Sequence, residues 1–310
     1  MKRQQMKKRV EKKAKKKGIR GKLPEIFLAL VFLLGFGIFS YPTISDQWNT
    51  YRQSRLIASY EQTVNEMSDE DYQKLWEAAQ SYNDSISVNN FGGDVFTEKQ
   101  EDLKGTPYWS VLNTGGKGVM GYLSIPKIDQ TIPIYHGTTD KVLQVGVGHM
   151  AGTKLPIGGA STHSVLSAHR GLPSARLFTD IDQLKKGDKF YIHVLNKVLA
   201  YEVDQVLPKV KKDDLDTLTN AMQIVEGQDY VTLFTCTPYG VNSHRLLVRG
   251  HQVEYHGEND DAGTADGTML KSLHNYYMLY LILATAVTIL TVLSIKGIRS
   301  LTKKTQPKEE

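Results

Sequence analysis

Cysteine is almost missing from this chain: one residue, Cys236, in 310. A single thiol excludes an internal disulfide and any thiolate-built zinc or iron–sulfur site. No His-Glu-x-x-His pair is present, and no glycine-rich phosphate loop of the Walker type. The string GASTHS at 159–164 lacks the Gly-x-Ser-x-Gly frame of a serine hydrolase elbow. Charged residues make up 23% and apolar residues 40%, which excludes a disordered chain and a polytopic membrane protein. The length leaves room for one or two domains with a full core.

A net charge of +5 conceals an uneven distribution. Residues 1–22 carry a net +11, residues 296–310 a net +3, and everything between a net −9. A nucleic-acid binder would carry its positive charge on the folded body, so this pattern argues against one. Two apolar runs explain it instead. Ile26 to Tyr41 is free of charge, and Tyr276 to Ile295 is 20 uncharged residues, enough to cross about 30 Å of hydrocarbon. Basic residues flank the outer side of each run, which predicts two membrane spans, 23–42 and 276–295, with both termini cytoplasmic and the body outside the cell membrane. The first run also has the make-up of a signal peptide, but no small-x-small cleavage site follows Ser40, Tyr41, Pro42 and Thr43, so an uncleaved anchor is expected.

The organisation expected is a basic head (1–22), the first span (23–42), external helices and a loop (43–104), a β domain (105–256), a linker (257–275), the second span (276–295) and a basic tail (296–310). Leu56, Tyr60, Val64 and Met67 recur at helical spacing, and Tyr72, Leu75, Trp76, Ala79 and Tyr82 mark a second helix behind Ser68, an N-cap with three acidic residues after it. Val88 to Gly105 reads as loop. Seven β-type runs follow between turn residues: GVMGYLSIP, TIPIYH, THSVLSAH, KFYIHVL, LAYEVDQVL, DYVTLFTC and HRLLVRGHQV, the pattern of a barrel or sandwich.

Cys236 ends one of these runs and precedes the turn Thr237-Pro238-Tyr239-Gly240, after which a strand starts near His244 and Arg245. A hairpin of that length brings Cys236 and Arg245 to the same end of neighbouring strands. A guanidinium there favours a thiolate or holds the oxyanion formed when sulfur attacks a carbonyl. A cysteine nucleophile also needs a base, and nine histidines compete for the role. His169 ranks first because it ends a strand-like run at a turn. His163 lies six residues earlier on the same face, His244 points away from the face of Arg245, His149 sits in a glycine-rich stretch, and His136 and His193 read as surface residues.

TLFTC (232–236) resembles the Thr-Leu-x-Thr-Cys signature of sortases, and LSAHRGLPSARLFTD (166–180) with TCTPYGVNSHRLLVRG (235–250) resembles their class C, pilin-polymerising members. The resemblance implies a mainly β fold, a closed eight-stranded β-barrel with N-terminal helices, here flanked by the two membrane spans. It implies a cysteine transpeptidase with Cys236 as nucleophile, His169 as acid/base and Arg245 as oxyanion or substrate-positioning residue, and it implies no cofactor and no metal. Class C members carry a lid with an Asp-Pro-aromatic motif; the matching place is Asp94-Val95-Phe96, where Val95 replaces proline. Asp94 would then pair with Arg245 and Phe96 would cover Cys236. The implied partners are pilin subunits bearing LPxTG-like sorting signals, the membrane, and cell-wall precursor or a second sortase, with no nucleic acid. The C-terminal run resembles the tail of a sorted surface protein, but the preceding GTADGTMLKSLHN holds no sorting pentapeptide, so the chain is not the cargo. LPIGG (155–159) resembles such a signal mid-chain and is expected to be a structural loop.

Overall fold

The computed structural model describes residues 23–90, 94–96 and 101–257, with two isolated positions at 284 and 287. The basic head, the linker, the second apolar run as a span and the basic tail lie outside the described residues. The chain divides into two units, Met1–Tyr255 and His256–Glu310, and the first holds the β domain.

Helix α1, Leu23–Asn65, does not stop where the first apolar run ends. It continues through Pro42 into the stretch expected to be the first external helix. Among the described residues no helix is long and apolar enough to cross a membrane. The later turns of α1 lie on the β domain. Tyr60 Oη donates to the carbonyl of Met120 at 3.1 Å and accepts from the amide of Leu195 at 2.8 Å. Gln53 Nε2 donates to the carbonyl of Val145 and Asn49 Nδ2 to that of Ser174.

Helix α2, Asp69–Asp84, begins where its cap requires: the Ser68 hydroxyl accepts from the Asp71 amide, and the Asp71 carboxylate accepts from the Ser68 amide. Its face of Tyr72, Leu75, Trp76, Ala79 and Tyr82 packs on the main core. Near its end Asn83, fully buried, spans the gap to the LPIGG loop: Nδ2 donates to the carbonyl of Leu155 and Oδ1 accepts from the Leu155 amide at 2.7 Å. That loop is structural, with Leu155 and Ile157 buried.

After a one-turn helix α3 (Pro107–Ser110) the β domain runs β1 (Val119–Ile125), β2 (Gln130–His136), a short α4 (Asp140–Leu143), β3 (Val147–His149), β4 (Thr162–Ser167), β5 (Lys189–Val194), β6 (Lys197–Lys211), α5 (Leu215–Ala221), β7 (Asp229–Thr237) and β8 (His244–Val253). The eight strands close a barrel in the order β1-β2-β3-β4-β7-β8-β6-β5. Seven of them lie within or across the seven β-type runs. The eighth, β3, is three residues long in the glycine-rich stretch, too short for any hydrophobic period. The β2–β3 and β4–β7 pairs are parallel and the others antiparallel.

Alternate residues along the strands divide between two apolar clusters. The larger, including Leu123, Ile134, Leu166, Ile192, Val231, Leu233, Leu246 and Val248, fills the barrel. The smaller lies on the opposite face of β4, β7 and β8 and gathers Val165, Phe234 and Leu247 with Val210, Met150, Leu218, Met222 and Val95. The site is built on this second face.

Removing the Asn83 side chain strands the buried amide of Leu155, while the Leu155 carbonyl keeps its bond from the Ile157 amide. Asn83→Ala is therefore expected to lower the unfolding free energy by about 1–3 kcal/mol, read by urea denaturation.

Candidate active site

Cys236 is two residues beyond Phe234 on β7 and so shares its outward face. Across the antiparallel ladder its partner is Arg245, the second residue of β8. On the other side of β7, β4 runs parallel, with Ser167 opposite Phe234. The ladder ends at that pair, and His169 follows Ser167 by two residues. Ala168, between them, donates its amide to the carbonyl of Phe234 at 3.3 Å and accepts from the Thr235 hydroxyl at 2.7 Å. Cys236, its hairpin partner Arg245 and the segment after β4 that carries His169 thus lie at one end of the barrel.

The segment Asp94–Phe96 covers them. Arg245, 1% exposed, donates from Nε to Asp94 Oδ1 at 2.9 Å and from Nη2 to Asp94 Oδ2. Its Nη1 donates to the carbonyls of Asn242 at 3.0 Å and His244 at 2.8 Å. Four of the guanidinium's five N–H groups are thereby committed. The Phe96 ring lies 5.5 Å from that of His169, 5.5 Å from that of Phe234, and 5.4 Å from the Arg245 guanidinium carbon. Val95, where the lid pattern has proline, is buried in the smaller apolar cluster, so the departure gives the segment an apolar anchor. Upstream, the Asn90 amide donates to the carbonyl of Gly152 at 2.9 Å, and Asn89 Nδ2 donates to the carbonyls of His163 and Met222. A Cβ on Gly152 would lie 1.9 Å from the Asn90 carbonyl oxygen, so glycine is required for this approach.

Burial pushes the Cys236 thiol up to about 11; Arg245 opposes the rise and Asp94 adds to it. Burial likewise lowers the imidazole of His169, against a smaller opposing effect of the Asp140 carboxylate. With the segment docked, burial thus favours the neutral form of both the thiol and the imidazole. Asp140, an exposed residue at the start of α4, had no mark in the sequence; it reaches His169 only through the fold.

The other histidines belong to the scaffold. His163 is fully buried with Nδ1 2.7 Å from the carbonyl of Gln223 and Nε2 2.8 Å from the Thr232 hydroxyl, and burial lowers it to about 4. His149 lies between the Tyr108 hydroxyl and the carbonyl of Lys154 and is lowered to about 4 by burial. The surface expectation for His136 and His193 is wrong. His136 is enclosed between the carbonyls of Gly118 and Val111, and His193 is buried with its ring stacked 4.2 Å from that of Tyr122. Strand alternation alone could not show that Tyr108 and Trp109 lie against His136 or that the Tyr122 ring covers His193. Among the described residues no group of three or more His, Cys, Asp or Glu side chains is arranged to hold a metal.

Alkylation of Cys236 by a small reagent is expected to accelerate about tenfold per pH unit through the neutral range and to level off only near the thiol's raised value. Asp94→Ala removes a charge that raises the thiol and releases one that lowers it, so the curve should move to lower pH and the rate at neutral pH should rise. Iodoacetamide rates across the pH range measure this, and superimposable curves would exclude Asp94 from the thiol's electrostatics.

The sortase-domain family profile matches residues 123–253. Sortase A of Streptococcus agalactiae serotype III (strain NEM316) is 29% identical over 162 residues, covering 51% of this chain and 61% of that protein, so the chain spans under two thirds of this curated relative. The crystal structure of sortase C1 from Streptococcus agalactiae matches with a TM-score of 0.58 and 49% identity over 65% of this chain and 99% of that one. Streptococcus pneumoniae sortase C, whose structure is described as bearing on catalysis and pilin substrate specificity, matches with a TM-score of 0.56 and 41% identity over 65% of this chain and 97% of that one. The barrel, its strand order and these matches agree: the chain belongs to the sortase family.

Proposed function

We propose that this protein is a class C sortase, a cysteine transpeptidase that joins pilin subunits outside the cell membrane. The observation that carries the reading is the docking of Asp94 and Phe96 on Arg245 and His169, beside Cys236. A buried guanidinium opposite a buried thiol, capped by a carboxylate and an aromatic ring, is of no use to a passive barrel. It suits a site that must stay closed to water and small nucleophiles until a substrate displaces the cap.

The chemistry proceeds by two acyl transfers. Once the cap lifts, Arg245 loses its carboxylate partner and Cys236 loses the charge that disfavours its thiolate. The thiol proton passes to His169, and the sulfur attacks the Thr carbonyl carbon of an LPxTG-like sorting signal. The developing oxyanion meets the freed N–H groups of Arg245. The C–N bond breaks as His169 returns its proton to the leaving glycine amine, and a thioester remains. A pilin lysine amine then attacks that carbonyl and gives up a proton to His169, and the thiolate leaves and is reprotonated. One amide bond is broken and one is formed, with no water and no cofactor consumed.

Membrane attachment is part of the proposal. Phe27, Leu30, Leu33, Leu34, Ile38 and Phe39 are exposed on the early turns of α1, an arrangement suited to lipid and costly in water. The helix continues without interruption onto the barrel, so an anchor at 23–42 would carry the catalytic domain at a set height above the bilayer, with the second apolar run returning the chain to the cytoplasm.

Cys236→Ala is expected to abolish covalent pilin ladders in cells with no other sortase, and mass spectrometry of the wild-type product is expected to find a Thr–Lys isopeptide bond. A peptide crossbridge in its place would identify a wall-anchoring sortase, and ladders that persist without Cys236 would exclude the transpeptidase reading. Deleting residues 1–42 is expected to move a large share of the protein from the membrane to the soluble fraction, assayed together with the loss of the second run; retention after both deletions would refute the anchors.

A further inference from the structure

The strand ladder that aligns β4 with β7 ends at Ser167 and Phe234, yet the residue that must face Cys236 lies two positions further on. Beyond the ladder, two side chains take over its role. Upstream of His169, the Thr235 hydroxyl donates to the carbonyl of Ala168 at 2.7 Å. Downstream, Arg170 Nη1 donates to the Thr237 hydroxyl at 3.1 Å. The residues on either side of His169 are therefore tied to the residues on either side of Cys236.

The second tie is the more elaborate. Arg170 Nε donates to the carbonyl of Thr179 at 3.0 Å, and Nη2 pairs with Asp182. The same loop is closed by the Gly171 amide on the Thr179 hydroxyl at 3.2 Å and by the Phe178 amide on the carbonyl of His169 at 3.1 Å. One guanidinium, its side chain 10% exposed, thus joins three pieces of chain: the His169 loop, the return segment through Thr179 to Asp182, and the end of β7. The planar fork of arginine suits this, since three acceptors in different directions are met without rotating a bond; a lysine ammonium on a flexible stem cannot hold all three. Asp182 offsets a positive charge that would otherwise oppose protonation of the neighbouring imidazole.

We propose that Arg170 is a positioning residue for the reaction: through Thr237 it fixes the backbone of His169 against the strand of Cys236, so that imidazole and thiol keep one separation while the proton passes in both directions. The proposal rests on the assignment of Cys236 and His169 as nucleophile and acid/base. Arg170 touches neither substrate nor sulfur in this role; it acts through the two residues that do.

The test uses the full chain carrying Asp94→Ala, so that cap opening does not limit the rate, with a sorting-signal peptide and an amine acceptor. Thr237→Val and Arg170→Met are each expected to lower kcat by about 10²-fold, because misplacing a catalytic group by about 1 Å costs that much, while KM stays within about twofold. The double variant should be no slower than the worse single one, since both changes cut one tie. Arg170→Lys should recover part of the loss, and alkylation of Cys236, which needs no imidazole, should be unaffected throughout. An unchanged kcat in Thr237→Val and Arg170→Met while Cys236→Ala is inactive would overturn the positioning role and leave the catalytic assignment standing. Loss of kcat matched by an equal loss of alkylation and a lower Tm would also overturn it, as a sign of a merely structural residue. Activity that survives Cys236→Ala would instead remove the reading on which it rests.

Discussion

Strand β7 has a different kind of neighbour on each side, and the site depends on that. An antiparallel partner, β8, sets Arg245 opposite Cys236; a parallel partner, β4, ends opposite Phe234 and leads through Ala168 to His169. Backbone hydrogen bonds set both registers, and side chains on a strand change face at every residue. A slip of one position in either ladder would send the imidazole or the guanidinium into the barrel and bring an apolar side chain out. The apolar residues of the barrel interior, Val231 and Leu233 on β7 with Leu246 and Val248 on β8, forbid such a slip because it would expose them. Core packing on one face therefore sets the geometry of chemistry on the other.

The charges on that outer face form a coupled set. Arg245 is the one group that lowers the thiol, and in this structure Asp94 both neutralises it and raises the thiol directly. Such a pair is costly to bury and still more costly to break halfway, which favours two states, docked and released, over a continuum. Phe96 contributes little polarity but much exclusion, since its ring spans His169, Phe234 and Arg245 together. The apolar anchor at Val95 and the close approach of Asn90 to Gly152 hold the segment at the correct place. Docking of the segment thus engages the guanidinium that opposes the rise of the thiol.

The histidines show how far a residue type falls short of a role. His149 and His163 are as well hydrogen bonded as any catalytic base, yet burial keeps both neutral and no thiol lies within their reach. His169 has fewer ties of its own, and its ring is half-buried beneath Phe96. Its two neighbours in the chain are instead tied to β7, Ala168 through the Thr235 hydroxyl and Arg170 through that of Thr237. Scaffold histidines show the reverse arrangement, with ring nitrogens that are fixed and fully enclosed.

Much was legible in the residues alone because it depends on local rules. Period-two runs between turn residues marked seven of the eight strands, the cap at Ser68 marked the start of α2, and the short hairpin after Cys236 paired it with Arg245. Beyond that range the linear order says little. Strand β3 is too short to show a period. The long helix α1 ignores the boundary that hydropathy suggested, since a helix ends where its backbone loses partners and not where its side chains turn polar. The burial of His136 and His193, the reach of Asp140 to His169 and the tie from Arg170 to Thr237 all join residues separated by other strands or helices. Composition, period and turn chemistry by themselves determined which segments become strands and which residue carries the sulfur. Only the closure of the barrel brought the end of β4, from which His169 follows, alongside β7, because that contact is a parallel pairing between strands about seventy residues apart, and a parallel pair leaves no mark in the residues between them.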